Sequence, residues 1–258
     1  MKSLERDLRA LRDVGRKLLV PYFMGGVSED WTDYVEAAVL AGADAVEIGI
    51  PFSDPMMDGP VIQAAALRSL SRGTTLDSIC DDVNRLDAHV PLIAMTYYNV
   101  VLHYGLERAA GKFSSSGVHG AIVPDLALEE TEPWISACEE PDVATVLLVA
   151  PSTPPERVDR LAATTQGFAY ASARMAVTGR SEGGGEGERV VRAIRRSSDV
   201  PALIGIGIAV PDQAQRAAEV SDGVIVGSAL VQMVMEGASA ADVESLIRQF
   251  RSAVDRCA

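Results

Sequence analysis

The chain has 258 residues, of which 48% are hydrophobic and 23% charged, and its formal net charge is −13. This length fits one α/β barrel domain of about 250 residues with a sizeable core. The acidic balance argues against binding to nucleic acid or an anionic membrane, because both need clustered Lys and Arg. Cys80, Cys138 and Cys257 are too scattered for a disulfide framework or a zinc site, and a cytoplasmic location is expected.

Short apolar runs alternate with amphipathic helical stretches, which is typical of parallel strands joined by crossover helices. The runs predict eight strands: Leu18–Phe23, Ala45–Gly49, Pro91–Met95, Gly120–Val123, Ala144–Ala150, Gly167–Tyr170, Ala202–Ile206 and Gly223–Val226. The predicted helices are Leu4–Val14, Trp31–Ala41, Val61–Ser71, Leu76–Leu86, Leu106–Ser115, Glu130–Cys138, Pro155–Ala163, Gly187–Ser197, Asp212–Ala218 and Ala240–Asp255. The series favours a single (β/α)8 TIM barrel over residues 1–258, with an extra N-terminal helix. An open dinucleotide-binding sheet is disfavoured, because no G-x-G-x-x-G follows the first strand.

In such barrels the active site lies where the strands end. Glu47 lies near the carboxyl end of the second strand, and Pro51, Pro55 and Pro60 restrict the chain that follows, so Asp58 is expected on a stiff loop. The two carboxylates could act as an acid–base pair. The alternatives are that Glu47 forms a strand-end salt bridge and that Asp58 caps the helix beginning near Pro60. Other polar or aromatic side chains near strand ends are Tyr97, Asn99, Asp125, Tyr170 and Arg174.

Two further loops have phosphate-binding character. The segments 205–208 and 226–229 have Gly-Ile-Gly-Ile and Val-Gly-Ser-Ala, so backbone N–H groups can approach an anion. The second segment opens a short helix whose dipole favours negative charge. The glycines could instead serve only tight turns, but their position after strands seven and eight favours a phosphate.

The histidines and tryptophans are given structural roles. His89, His103 and His119 lack metal-ligand spacing, so no metal site is predicted. Trp31 and Trp134 fall on predicted helices and are expected to pack there. Arg174 is either an ion-pair residue of a substrate loop or a solvated arginine.

The segment 47–63 resembles the substrate loop of tryptophan synthase α subunits, whose pattern is roughly E-x-G-x-P-F-S-D-P-x-x-D-G-P-x-I-Q. The similarity continues in the family's order over most of the chain. The matching motifs are Tyr97-Tyr98-Asn99, Ile122-Val123-Pro124-Asp125-Leu126, Val177-Thr178-Gly179, Gly205-Ile206-Gly207-Ile208 and Val226-Gly227-Ser228-Ala229.

This resemblance implies a lyase that cleaves indole-3-glycerol phosphate to indole and glyceraldehyde 3-phosphate, without a cofactor or metal. It also implies a partner, the PLP-dependent β subunit that receives the indole. Glu47 would be the acid–base group at indole C3 and the glycerol hydroxyl, and Asp58 would accept the indole N–H proton. The implied substrate-binding residues are Tyr97, Tyr170, Thr178, Gly179, Gly207, Gly227 and Ser228, with Thr178 in a mobile loop that closes on Asp58.

The chain also departs from the family pattern. Met24-Gly25-Gly26-Val27 replaces the family's usual stretch after strand one, a Gly-rich run follows Gly179, and Tyr22 and Ile206 stand where Phe is common. Two alternatives therefore remain open: a stand-alone lyase that releases free indole, and a catalytically weak α-like subunit that activates a β partner. A Schiff-base aldolase is disfavoured because no lysine lies at a strand end.

Overall fold

The computed structural model describes residues 1–172 and 185–257. Eight parallel strands form a closed barrel in which each strand pairs with its neighbours in sequence and the last pairs with the first. The strands are β1 (Leu18–Met24), β2 (Val46–Gly49), β3 (Leu92–Met95), β4 (Val118–Ile122), β5 (Ala144–Val149), β6 (Ala169–Ser172), β7 (Ala202–Gly205) and β8 (Gly223–Val226). The predicted TIM barrel is confirmed.

Helices surround the barrel. They are α1 (Ser3–Asp13), α2 (Trp31–Leu40), α3 (Pro60–Ser71), α4 (Leu76–Val83), α5 (Tyr98–Tyr104), α6 (Leu106–Ser115), α7 (Thr131–Ala137), α8 (Pro155–Thr164), α9 (Glu186–Ser197), α10 (Pro211–Val220), α11 (Ser228–Met235) and α12 (Ala240–Asp255), with a 3-10 turn at Leu128–Glu130. The sequence does not predict α5, which follows β3 after two residues. Within the described ranges, no helix combines the length and apolar character needed to cross a membrane.

The predicted N-terminal helix closes the amino-terminal end of the barrel. Leu4 and Leu8 of α1 are fully buried in the cluster that fills the barrel interior. A Cβ at Gly120 of β4 would lie 2.6 Å from Leu4 Cδ2, and one at Gly167 would lie 2.7 Å from the same atom. These two glycines therefore make room for the Leu4 side chain.

Buried charge reinforces the same end of the barrel. The Asp44 carboxylate accepts hydrogen bonds from the Leu19 N–H and from Arg251, both at 2.8 Å, and pairs with Arg16. Arg251 also donates to the Lys17 carbonyl at 2.7 Å. Because apolar packing and ion pairs occupy the amino-terminal end, the opposite end is left for a functional site.

Candidate active site at the carboxyl ends of the strands

Glu47 lies on β2 and its side chain is buried in the barrel interior. It is 1% exposed, and its Oε2 atom has no hydrogen-bond partner among the described residues. Burial, followed by the nearby charge of Asp58, raises the pKa of Glu47 from 4.5 to about 8. Within residues 1–172 and 185–257 no cation pairs with Glu47, so the salt-bridge interpretation has no support there.

Asp58 lies on the loop between β2 and α3. The N-cap residue of α3 is Gly59, and no side-chain hydrogen bond caps this end of the helix. The interpretation of Asp58 as the cap of α3 is therefore wrong. The loop is held instead by backbone and amide contacts: the Asp58 N–H donates to the Pro55 carbonyl at 3.1 Å, and Gln63 donates to the Asp58 carbonyl at 2.9 Å. These contacts leave the carboxylate free of a capping role.

Tyr97 links this loop to the end of β3. It is 4% exposed, and its ring stacks on Phe52 with ring centroids 5.2 Å apart. The Met57 N–H donates to the Tyr97 hydroxyl at 2.9 Å. Burial raises the pKa of Asp58 to about 6, and the nearby Tyr97 hydroxyl opposes this rise in part. Tyr97 therefore holds the loop that carries Asp58, through its contacts with Phe52 and Met57.

The loop after β1, which departs from the family pattern, packs against α3 and the turn after it. Gly26 has a φ of +71°, and a Cβ there would lie 2.6 Å from Thr74 Cγ2. The Ser69 hydroxyl donates to the Gly25 carbonyl at 2.5 Å. The two glycines thus allow the loop to pack closely on the helix that follows Asp58.

Two tyrosines project into the barrel interior near Glu47. Tyr22 on β1 is the register partner of Glu47, and its ring lies over Gly49, where a Cβ would be 2.7 Å from Tyr22 Cζ. Tyr170 lies over Gly205 in the same way, where a Cβ would be 2.5 Å from Tyr170 Cε1. Gly49 and Gly205 are therefore required by the tyrosine rings.

Tyr170, predicted as the last residue of the sixth strand, is not at the strand end. It lies inside β6 and is 7% exposed, packed with Phe168 at a centroid distance of 6.4 Å. The predicted strand ended at Tyr170, whereas β6 continues to Ser172. Its ring nevertheless faces the same interior as Glu47, whose charge raises the pKa of Tyr170 further after burial.

The candidate phosphate residues lie where β7 and β8 end. Gly207 has a φ of +78°. Gly227 directly precedes α11, which begins at Ser228 without a side-chain cap, so the first N–H groups of that helix have no acceptor within it. A Cβ at Gly227 would make only ordinary contact with Tyr22, at 3.6 Å. Protein packing therefore does not require a glycine there.

Ile206, between Gly205 and Gly207, has backbone dihedral angles that are unusual for its residue type. Its φ is +84°, and its side chain is 43% exposed. A β-branched residue in this region is strained, and such strain is concentrated at functional sites. Apart from the flanking Gly205 and Gly207, no feature of the sequence predicts this backbone conformation.

Asp125 and Asn99, which the sequence places near strand ends, are associated with helix α5. The Asp125 carboxylate accepts from the Tyr98 N–H at 2.8 Å and so caps α5. Asn99 is exposed on that helix. Thr178, Gly179 and Arg174 lie outside the described residues.

The histidines fit their structural interpretation. His119 lies on β4, where its Nδ1 accepts from the Leu92 N–H at 3.4 Å, and the His89 side chain is 80% exposed. The described ranges contain no group of three or more His, Cys, Asp or Glu side chains that could hold a metal. Trp31 and Trp134 pack on α2 and α7, as predicted.

The closed barrel, with the carboxyl groups of Glu47 and Asp58 near the carboxyl ends of its strands, has the architecture of a TIM-barrel enzyme. A family model described as tryptophan synthase alpha chain matches residues 8–256. The chain belongs to this family.

Individual relatives and solved structures agree. The tryptophan synthase alpha chain of Synechocystis is 38% identical, with 98% of this chain and all of the relative aligned, and that of Thermobifida fusca is 39% identical over 97% and 94%. A ligand-free tryptophan synthase from M. tuberculosis superposes with a TM-score of 0.88 at 32% identity, covering 98% of this chain and 99% of that one. The alpha subunit from Legionella pneumophila gives 0.89 at 29% identity, covering 99% of both.

Proposed function

We propose that this chain cleaves indole-3-glycerol phosphate to indole and glyceraldehyde 3-phosphate, as the α chain of a tryptophan synthase. The observation that carries the proposal is the pair Glu47 and Asp58. The two groups are close enough for the charge of Asp58 to raise the pKa of Glu47, and their pKa values of about 8 and about 6 differ enough for opposite roles.

Near pH 7 Glu47 is the proton donor and Asp58 the acceptor. Glu47 gives its proton to indole C3 while the indole N–H proton passes to Asp58. The Glu47 carboxylate then takes the proton of the hydroxyl on the adjoining glycerol carbon, the C3–C3′ bond breaks, and its electrons return toward the indole nitrogen, which regains a proton from Asp58. The rate should therefore rise with pH near 6 and fall near 8.

The phosphate of the substrate is assigned to the loops after β7 and β8. Gly207, Gly227 and Ser228 offer backbone N–H groups, and the N-terminal dipole of α11 adds a favourable field. Thr178 and Gly179 are carried over from the family motif as further contacts. Tyr97 and Tyr170 complete the substrate-binding set, Tyr97 through Asp58 and Tyr170 from the barrel interior. This arrangement uses no lysine, which suits a chain of net charge −13.

The partner proposed for this chain is the PLP-dependent β subunit, which consumes the indole. The exposed side chains of Met56 and Met57, 79% and 58% exposed on the loop that carries Asp58, support a contact next to the site. A stand-alone lyase that releases indole is the second candidate, favoured by the changed loop after β1. Location in the cytoplasm, and a single barrel domain over residues 1–258, remain predictions.

Incubation of the purified chain with indole-3-glycerol phosphate, with and without a tryptophan synthase β subunit, tests the proposal. We expect equal amounts of indole and glyceraldehyde 3-phosphate from the chain alone, and a faster reaction with the β subunit present. The same rate in both conditions would favour the stand-alone lyase. No cleavage in either condition, from a chain that elutes as a folded protein, would reject the proposed function.

A further inference from the structure

Tyr22 joins the two halves of the proposed site. Its Cβ and Cδ1 lie 3.6 Å from the position a Cβ would take at Gly227, next to the start of α11. The other end of its ring lies over Gly49, two residues after Glu47 on the same face of β2. The side chain thus runs from the loop after β8 to Gly49 at the end of β2.

The hydroxyl of Tyr22 differs from those of three other tyrosines. The hydroxyls of Tyr34, Tyr97 and Tyr104 interact with the Ala238 carbonyl at 3.2 Å, the Met57 N–H at 2.9 Å and the Asp77 carboxylate at 2.6 Å. Among residues 1–172 and 185–257, none hydrogen-bonds to the hydroxyl of Tyr22, although that side chain is only 5% exposed. The ring of Tyr22 is buried but its hydroxyl oxygen is not fully buried, so this polar end of the side chain can bond to a ligand.

The environment of the Tyr22 hydroxyl keeps it protonated, so it can donate a hydrogen bond. Burial first, and then the charges of Asp58 and Glu47, raise the pKa of Tyr22 well above its ordinary value. The phenol therefore stays protonated over the range in which the two carboxylates titrate, and its O–H can donate to an oxygen atom placed between Gly227 and Glu47.

We propose that Tyr22 contacts the substrate, its hydroxyl donating a hydrogen bond to a hydroxyl of the glycerol segment that lies between the phosphate and the indole ring. The inference rests on the proposed function, because that assigns the phosphate to the Gly227 end and the reacting carbon to the Glu47 end. Tyr22 thereby recognises a hydroxylated three-carbon chain in preference to a plain alkyl chain.

Removal of the hydroxyl from either the protein or the ligand tests this contact. Tyr22→Phe keeps the ring over Gly49, and Tyr34→Phe is the matched control, since Tyr34 is also 5% exposed but bonds to Ala238. For each protein, kcat/KM is measured with indole-3-glycerol phosphate, and the inhibition constant is measured with 3-indolylpropyl phosphate, whose chain has no hydroxyl.

We expect Tyr22→Phe to lower kcat/KM by about tenfold, the effect of one lost hydrogen bond. Its inhibition constant for the propyl compound should change by less than about twofold, and Tyr34→Phe should match the wild type for both ligands. Equal weakening for both ligands, or no effect on either, would overturn the proposal for Tyr22 while wild-type cleavage still supports the function. If the wild type neither binds nor cleaves the substrate, both proposals fail.

Discussion

Glu47 and Asp58 are both carboxylic acids, but the barrel gives them different environments. Glu47 lies inside the barrel with one oxygen unpaired among the described residues, whereas Asp58 is half-buried on the loop that Tyr97 holds. The difference in burial separates their pKa values. The sequence places both residues at the site, but it cannot give this separation, because burial depends on neighbouring strands.

The environment of Asp58 predicts that its carboxylate serves activity and not stability. Asp58→Asn should leave the melting temperature within about 2 °C of the wild type, because α3 receives no side-chain cap from this residue. Turnover should fall by at least about a hundredfold, because the amide cannot accept the indole proton. Thermal melts and steady-state assays of the same preparation check both results. A lower melting temperature with full activity would contradict the assignment.

Ionisation of Glu47 should lower the free energy of unfolding as pH rises. Its pKa is about 8 in the folded protein against an ordinary 4.5, so between these values the folded state binds a proton that the unfolded state lacks. Stability from this group is therefore present below about pH 4.5 and is lost as pH rises to about 8. The neutral side chain of Glu47→Gln removes this dependence.

We expect urea unfolding to show Glu47→Gln more stable than the wild type at pH 8.5, by on the order of a few kcal/mol. At pH 5 the difference should be small. Other titrating groups are common to both proteins, so the change in the difference with pH belongs to residue 47. A difference that stays constant between pH 5 and pH 8.5 would show that Glu47 is ionised in the folded protein at neutral pH.

At the scale of elements, the eight strands and most helices could be predicted because each depends on local hydrophobic periodicity. α5 could not. Its first N–H group is capped by Asp125, 27 residues further along the chain, and its Tyr, Val and Leu residues are equally compatible with a strand. The contact of Tyr22 with Gly49 was also hidden, because it depends on the register between β1 and β2.

Helix α1, which closes the amino-terminal end of the barrel, should contribute stability without affecting the site. Leu4→Ala removes a fully buried side chain at the amino-terminal end of the barrel, opposite the carboxylates. Unfolding measurements should show a loss of about 2–5 kcal/mol. Turnover of the folded variant should be unchanged.

Leu40→Ala is a suitable control, since Leu40 is 69% exposed on α2. This variant should unfold within about 0.5 kcal/mol of the wild type. If Leu4→Ala loses activity while its stability is normal, the amino-terminal end of the barrel is coupled to the site, and the separation of the two ends is wrong.

At the scale of the whole molecule, the barrel separates stability from chemistry. Ion pairs and helix α1 occupy the amino-terminal end of the barrel. The two carboxylates and the loops after β7 and β8, with their backbone N–H groups, occupy the carboxyl end. An acidic protein can bind an anionic substrate in this arrangement, because helix dipoles and backbone N–H groups replace cationic side chains.

The most direct test of the central claim is the rate of indole-3-glycerol phosphate cleavage by Glu47→Gln at pH 7, beside the wild type. Glu244→Gln, on α12 and paired with Arg248, is the control for the same substitution away from the site. We predict a loss of at least about a hundredfold for Glu47→Gln, with the fold intact, and a normal rate for Glu244→Gln. A folded Glu47→Gln variant that cleaves the substrate at nearly the wild-type rate would contradict the claim that Glu47 transfers the proton.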